Sequence, residues 1–224
     1  MVRKIKDLMT LDGKISLVTG GAGHLGASLS ETLAELGSSV IITGRRQIEG
    51  EIFAKKLAKE YNTSVKFEKI DTNNKNSIDE FFSKVSKLDV LINNAFTWPN
   101  IVKLEETSWN DFEETVVSGI TSPFYVSKKS IDVMKTSGGS IINIGSMYGT
   151  VSPNFKIYRD TPKLGNALAY NAAKAAIIQM TKYLAVYCAK WNIRVNCISP
   201  GPFPKHNAFD NKEWFRDELL DRKS

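Results

Sequence analysis

Apolar residues in this chain gather into short runs separated by stretches of helical spacing. ISLVTG (15–20), SVIITG (39–44), LDVLINNA (88–95), GSIINIGS (139–146) and IRVNCISPG (193–201) hold such runs and close on small or polar residues, while SVKFEKID (64–71) alternates. Short apolar runs of this kind predict strands buried on both faces of a sheet. Between them, LGASLSETLAELG, IEGEIFAKKLAKEYN and NSIDEFFSKVSK have helical spacing, the last with Asn76 or Ser77 as its expected N-cap. A long helical region from about Trp109 to Lys135, and another over 167–190, complete the alternation. Strands that alternate with helices argue for a parallel sheet covered on both sides. Right-handed crossovers then narrow the topology to a doubly wound α/β fold. The whole chain, 1–224, reads as one such domain.

Composition narrows the function classes. The net charge is +6, but the lysines are scattered among acids and apolar residues, as in FAKKLAKEY and SKKSIDVMK. That pattern is a solvated surface, and no nucleic-acid partner is expected. No apolar core of signal-peptide length follows the charged start MVRKIKDLMTLDGK. The longest charge-free stretch, Thr136 to Phe155, is too rich in Gly, Ser, Asn and Pro to cross a bilayer. A cytoplasmic protein without a membrane partner is the expectation. Cys188 and Cys197 fit no metal pattern and read as buried free thiols; no metal site is expected. The 167–190 helix is apolar nearly all round, which suggests a second subunit against it. A homodimer or homotetramer through the 109–135 and 167–190 helices is expected.

The chemistry begins at VTGGAGHLG, between the first strand and the first helix. Glycines there permit positive φ and let a pyrophosphate approach the backbone beside the positive end of a helix, so a dinucleotide is expected. A second feature is ALAYNAAKAAII, where Tyr170 and Lys174 stand one helical turn apart on the same face.

The turn resembles the T-G-x-x-x-G-x-G pattern of the short-chain dehydrogenase/reductase family. Thr19, Gly20 and Gly26 match, His24 stands where the middle glycine is expected, and Gly23 precedes it. His24 either turns toward phosphate or solvent, with Leu25 following it into the helix, or caps the helix start. Three further motifs follow in the family's order. NNA (Asn93, Asn94, Ala95) resembles the segment that lines the adenosine side, with Phe96 in place of its usual glycine. GSIINIGSMYG carries Ser146 at the active-site serine position, and YNAAK matches Y-x-x-x-K. NCISPG resembles the sixth-strand motif, whose Pro200 and Gly201, with Phe203 beyond, would flank the nicotinamide. The resemblance implies a Rossmann-type sheet of strand order 3-2-1-4-5-6, whose usual seventh strand is not found. It also implies hydride transfer between a secondary alcohol and a carbonyl.

The same resemblance implies roles. Tyr170 would be the acid/base, with its pKa lowered by the Lys174 ammonium and the oxidised cofactor. Lys174 would also hold the nicotinamide ribose, and Ser146 would hydrogen-bond the reacting oxygen. NAD-binding relatives usually carry an acid at the end of the second strand, where this chain has Gly44 followed by Arg45 and Arg46. Guanidinium groups suit a 2′-phosphate, so NADP(H) is favoured over NAD(H); otherwise both arginines simply begin the next helix. Asp71 matches the position that hydrogen-bonds adenine.

The chain departs from the family at several points. Gly119 stands where an asparagine commonly supports a proton relay, and an asparagine restored there is expected to leave activity equal or better. Lys205 replaces the threonine expected after PG. The segment from Met147 to Leu168 is longer than usual, and its Tyr148, Tyr158, Arg159 and Asp160 suggest a small, polar substrate, either anionic or of sugar or polyol type, or else a plain surface excursion. Residues from about 203 to 224 are expected to form a substrate-lid region, in which FDNKEWFRDELLDR (209–222) is expected to be a helix with Trp214 and Phe215 as its apolar contacts. A catalytically weak dinucleotide-binding sensor or scaffold is the rival reading, and nucleotide-sugar epimerisation or dehydration ranks last.

Overall fold

The computed structural model describes residues 9–98, 103–158, 167–203 and 217. Six strands form one parallel sheet in the order β3-β2-β1-β4-β5-β6. They are β1 (Ile15–Thr19), β2 (Ser39–Gly44), β3 (Val65–Lys69), β4 (Val90–Asn93), β5 (Gly139–Ile144) and β6 (Ile193–Ile198). Between them run α1 (His24–Glu35), α2 (Gln47–Tyr61), α3 (Lys75–Phe82), α4 (Trp109–Val116), α5 (Ser122–Met134) and α6 (Leu168–Cys188).

The doubly buried strands explain themselves residue by residue. Neighbours in β1 point to opposite faces: Leu17 packs with Phe81, Val126 and Met134, and Val18 packs with Leu33, Ala54 and Leu57. In β2, Ile41 joins the first core while Val40 and Ile42 join the second. Burying both sets requires helices on both sides of the sheet. The alternating burial along edge strand β6 (Ile193 and Val195 buried, Arg194 and Asn196 exposed) shows cover on one face only among the described residues.

Two helix boundaries differ from expectation. The cap of α3 is Asn74, not Asn76 or Ser77; its side chain accepts from the amides of both those residues, at 2.9 and 3.2 Å. The expected helix over 109–135 is divided by a π turn at Val117–Thr121. Pro123 explains the break, because it has no N–H to offer the Gly119 carbonyl four residues back and its ring would crowd that oxygen. Buried polar groups brace the sheet beneath this region. The Asn93 amide donates to Ser127 Oγ and to Asn143 Oδ1, both at 2.8 Å, and the Asn143 amide donates to Thr181 Oγ1 at 2.9 Å. β4, β5, α5 and α6 are thus tied together below the carboxyl ends of the strands.

Candidate active site

Strand order reverses between β1 and β4, so their carboxyl ends open a crevice where doubly wound sheets bind ligands. Thr19 organises it. Its hydroxyl donates to the Ile92 carbonyl (3.3 Å) and accepts from the amides of Asn94 and Ala95 (3.0 Å each). The Asn94 amide returns the link, donating to the carbonyls of Thr19 (3.0 Å) and Gly20 (3.1 Å). Gly20 holds φ +63, and a Cβ there would lie 3.0 Å from the Ala95 Cα; a Cβ on Gly26 would collide with the Gly20 carbonyl. The glycines therefore close the turn tightly against β4.

The turn ends at Gly23, the N-cap of α1, which has no side-chain cap, so the first-turn amides of α1 around Leu25 have no side-chain acceptor. His24 does not cap the helix either. Its Nε2–H donates to the Phe203 carbonyl at 3.1 Å, joining the turn to the segment after β6. Arg45 and Arg46 are exposed between β2 and α2, without an ion-pair partner among the described residues. Asp71 is also exposed, and one carboxylate oxygen accepts from the Asn73 amide at 3.0 Å. These residues line the crevice from the carboxyl end of β1 outward to β2 and β3.

Ser146 and Tyr170 meet at the other end of the crevice. Ser146 is buried just past β5, held by the turn in which the Met147 amide donates to the Pro200 carbonyl (3.2 Å); Gly201 beside it has open space around its Cα. Tyr170 lies in the first turn of α6, half-buried. Burial pushes its phenol above the ordinary value, a hydrogen bond from Ser146 pulls the other way, and nearby Tyr148 adds to the rise. The expected lowering by Lys174 is not what this chain's own groups produce. The Lys174 ammonium donates to the Ile144 carbonyl at 2.7 Å and lies 5.8 Å from the centre of the Tyr170 ring. Lys174 is itself buried, at 7% exposure, and burial brings its pKa down to about 8, with a small opposing contribution from Cys197.

Sequence reasoning assigns no role to two aromatic residues of the site. Phe96 packs edge-on to Tyr170, with centroids 5.4 Å apart, and Trp98 stacks on it at 5.2 Å and 14°. Their signal is the pair of large aromatics directly after NNA, where a turn ordinarily has small residues. Gly119, in the π turn, faces the same place: a Cβ there would lie 2.5 Å from Ala173 Cβ and 3.2 Å from Phe96 Cε2. The expectation that asparagine would be accepted at 119 is therefore overturned, because α6 and Phe96 already fill that space. Cys197 is half-buried rather than buried, while Cys188 is buried; both are free. Among the described residues no group of acids, histidines and cysteines could hold a metal ion. Arg159, Asp160, Lys205, Trp214 and Phe215 lie outside the described residues.

Comparison with known proteins agrees with this geometry. The sequence profile described as short chain dehydrogenase matches residues 14–214. Trans-4-hydroxycyclohexanecarboxylate dehydrogenase of Sinomonas cyclohexanicum is 33% identical over 199 residues, covering 84% of this chain and 71% of that protein. Among solved structures, a gluconate 5-dehydrogenase from Burkholderia cenocepacia in complex with NADP and tartrate superposes with TM-score 0.83 at 25% identity, covering 98% of this chain and 84% of that one. An NAD+-bound xylitol dehydrogenase superposes with TM-score 0.78 at 26% identity, covering 93% and 77%.

Proposed function

The chain belongs to the short chain dehydrogenase family, and from that premise we propose that it is an NADP(H)-dependent oxidoreductase interconverting a secondary alcohol and a carbonyl. The observation that carries this is the hydroxyl pair Ser146–Tyr170 at the crevice end, with buried Lys174 one turn beyond. The donor set fits a dinucleotide: uncapped amides at α1, a glycine turn pinned to β4, and two arginines without an ion-pair partner among the described residues. Thr19, Gly20, Gly23, His24, Leu25 and Gly26 would bound its pyrophosphate, and Asn94 and Ala95 its adenosine side. Pro200, Gly201 and Phe203 would border the nicotinamide. When bound, that group supplies or accepts the hydride.

The residues of the chain supply the proton. A phenol raised by burial stays protonated at neutral pH, so Tyr170 is built to give its proton to a carbonyl oxygen, and Ser146 to share the charge that develops there. Lys174 would hold the ribose from the carbonyl of Ile144. The substrate is read as small and polar, like the hydroxy acid and polyol in the names of the relatives, with Tyr148 beside the phenol as a candidate contact. Copies of the chain pair through α4, α5 and α6, in the cytoplasm.

Tyr170→Phe is expected to reduce NADPH consumption against a panel of polar carbonyls by roughly a thousandfold or more, on the order of a lost general acid with its positioning, with NADPH affinity kept. Reduction should be level through neutral pH and fall only at alkaline pH, while oxidation rises with pH. A Tyr170→Phe variant that keeps most of its turnover would remove Tyr170 from the chemistry.

A further inference from the structure

We propose that Phe96, lodged against Gly119, is a positioning residue that seats the Lys174 ammonium and closes it from water on that side. This rests on the reading of Lys174 as part of the active site. Three observations lead to it. Lys174 Nζ lies 5.0 Å from the centre of the Phe96 ring, a cation–π distance. Its hydrogen-bond partner in the described structure is the Ile144 carbonyl, so the ring face stands where a second acceptor would otherwise be needed. The ring packs against the bare backbone of residue 119: a Cβ there would lie 3.2 Å from Phe96 Cε2, and the ring would have to give by a few tenths of an ångström. A large residue in the loop after β4 and an absent side chain in the π turn therefore form a matched pair.

Hydrogen bonds fix the arrangement from the loop side. The Thr97 amide, next to Phe96, donates to Ser118 Oγ at 2.7 Å, so the loop is fastened to the π turn beside Gly119. Phe96 also meets Tyr170 edge-on, so one ring touches both groups of the Tyr–Lys pair. The titratable groups facing Lys174 are Tyr170 on α6 and Cys197 on β6, with Tyr148 facing Tyr170 from the turn after β5. Among the described residues no carboxylate forms an ion pair with it. The ammonium is therefore held by a carbonyl and two ring faces, Phe96 at 5.0 Å and Tyr170 at 5.8 Å, and removing the nearer face has a readable consequence.

The test is competitive acylation of Lys174 by acetic anhydride across pH, read by mass spectrometry on the whole chain without cofactor. In the unmodified chain labelling should be slow, with a midpoint near 8. Phe96→Gly opens the wall, so labelling should speed up roughly tenfold or more and the midpoint should climb toward the ordinary lysine value. Phe96→Leu keeps apolar bulk but loses the π face. Labelling should stay slow and the midpoint should fall by about half a unit or more. A Phe96→Leu variant with an unmoved midpoint overturns the seat, and it does so even if Phe96→Gly fails to fold. The pH profile of NADPH consumption should move with the labelling midpoint. If the unmodified chain turns over neither dinucleotide, the proposed function fails, while the labelling result still decides the role of Phe96.

Discussion

At the scale of single residues, Lys174 carries the largest electrostatic cost in the site. Its folded pKa of about 8 against an ordinary 10.5 corresponds to about 3 kcal/mol of unfavourable burial when the group is charged. Because the folded value is depressed, the unfolded chain binds more protons between these two values, so this group's contribution to stability improves as pH climbs from about 8 toward 10.5. Lys174→Met should therefore raise the urea midpoint at pH 7 and remove that part of the pH dependence, while abolishing activity. A midpoint unchanged at pH 7 would mean that the ammonium is solvated after all. Arg45 invites a different measurement. An exposed guanidinium without an ion-pair partner among the described residues is available to a 2′-phosphate, and a hydrogen bond to a charged group contributes about 1.5–3 kcal/mol. Arg45→Ala should then weaken NADPH binding about tenfold or more and leave NADH within about twofold; equal losses, measured by fluorescence titration, would place the phosphate elsewhere.

At the scale of elements, the strands were legible because a run such as SVIITG has no polar face, and only a sheet covered on both sides can bury it. The division of 109–135 was harder to see. Its cause is present in SGITSP, since Gly119 and Pro123 stand four apart, but periodicity alone reads through such a break. The orientation of the Lys174 amine was not legible at all. Spacing placed it on the same helix face as Tyr170, but the Ile144 carbonyl, which belongs to a strand thirty positions earlier, decided where it points. Phe96 was visible only as a departure from a pattern, because its partner at 119 is an absence. The packing of the π turn on α6 yields its own prediction. Even one methyl at Gly119 must displace Ala173, so Gly119→Ala should cost about 1–3 kcal/mol, the usual range for overpacking. Denaturant titration reads this directly, and an unchanged midpoint would show that the π turn yields without cost.

At the scale of the whole molecule, the apolar residues left outside the two cores are not evenly spread. Trp109 and Phe112 on α4, Phe124 on α5, and Leu168, Tyr183, Val186 and Tyr187 on α6 are all among the exposed large hydrophobic side chains. α4 packs on α6, so these seven lie on adjoining helices, while Ile48, Ile52, Leu104, Val151 and others are exposed elsewhere. Among the described residues no helix is long and apolar enough to cross a membrane. Val186 is 81% exposed and Tyr183 65%, the latter stacked on Tyr187 at 6.0 Å. Aromatic residues held in place by their neighbours contribute to association at low entropic cost, and a two-fold pair would bury the same helical patch of both copies. The expected state in solution is therefore a dimer or a tetramer built from it. Val186→Glu adds a charge beside Tyr183 and Tyr187 on that face, far along α6 from Tyr170. Light scattering should show a smaller species for this variant at unchanged helical content. A chain that is monomeric before the substitution would leave the exposed face of α6 to some other partner.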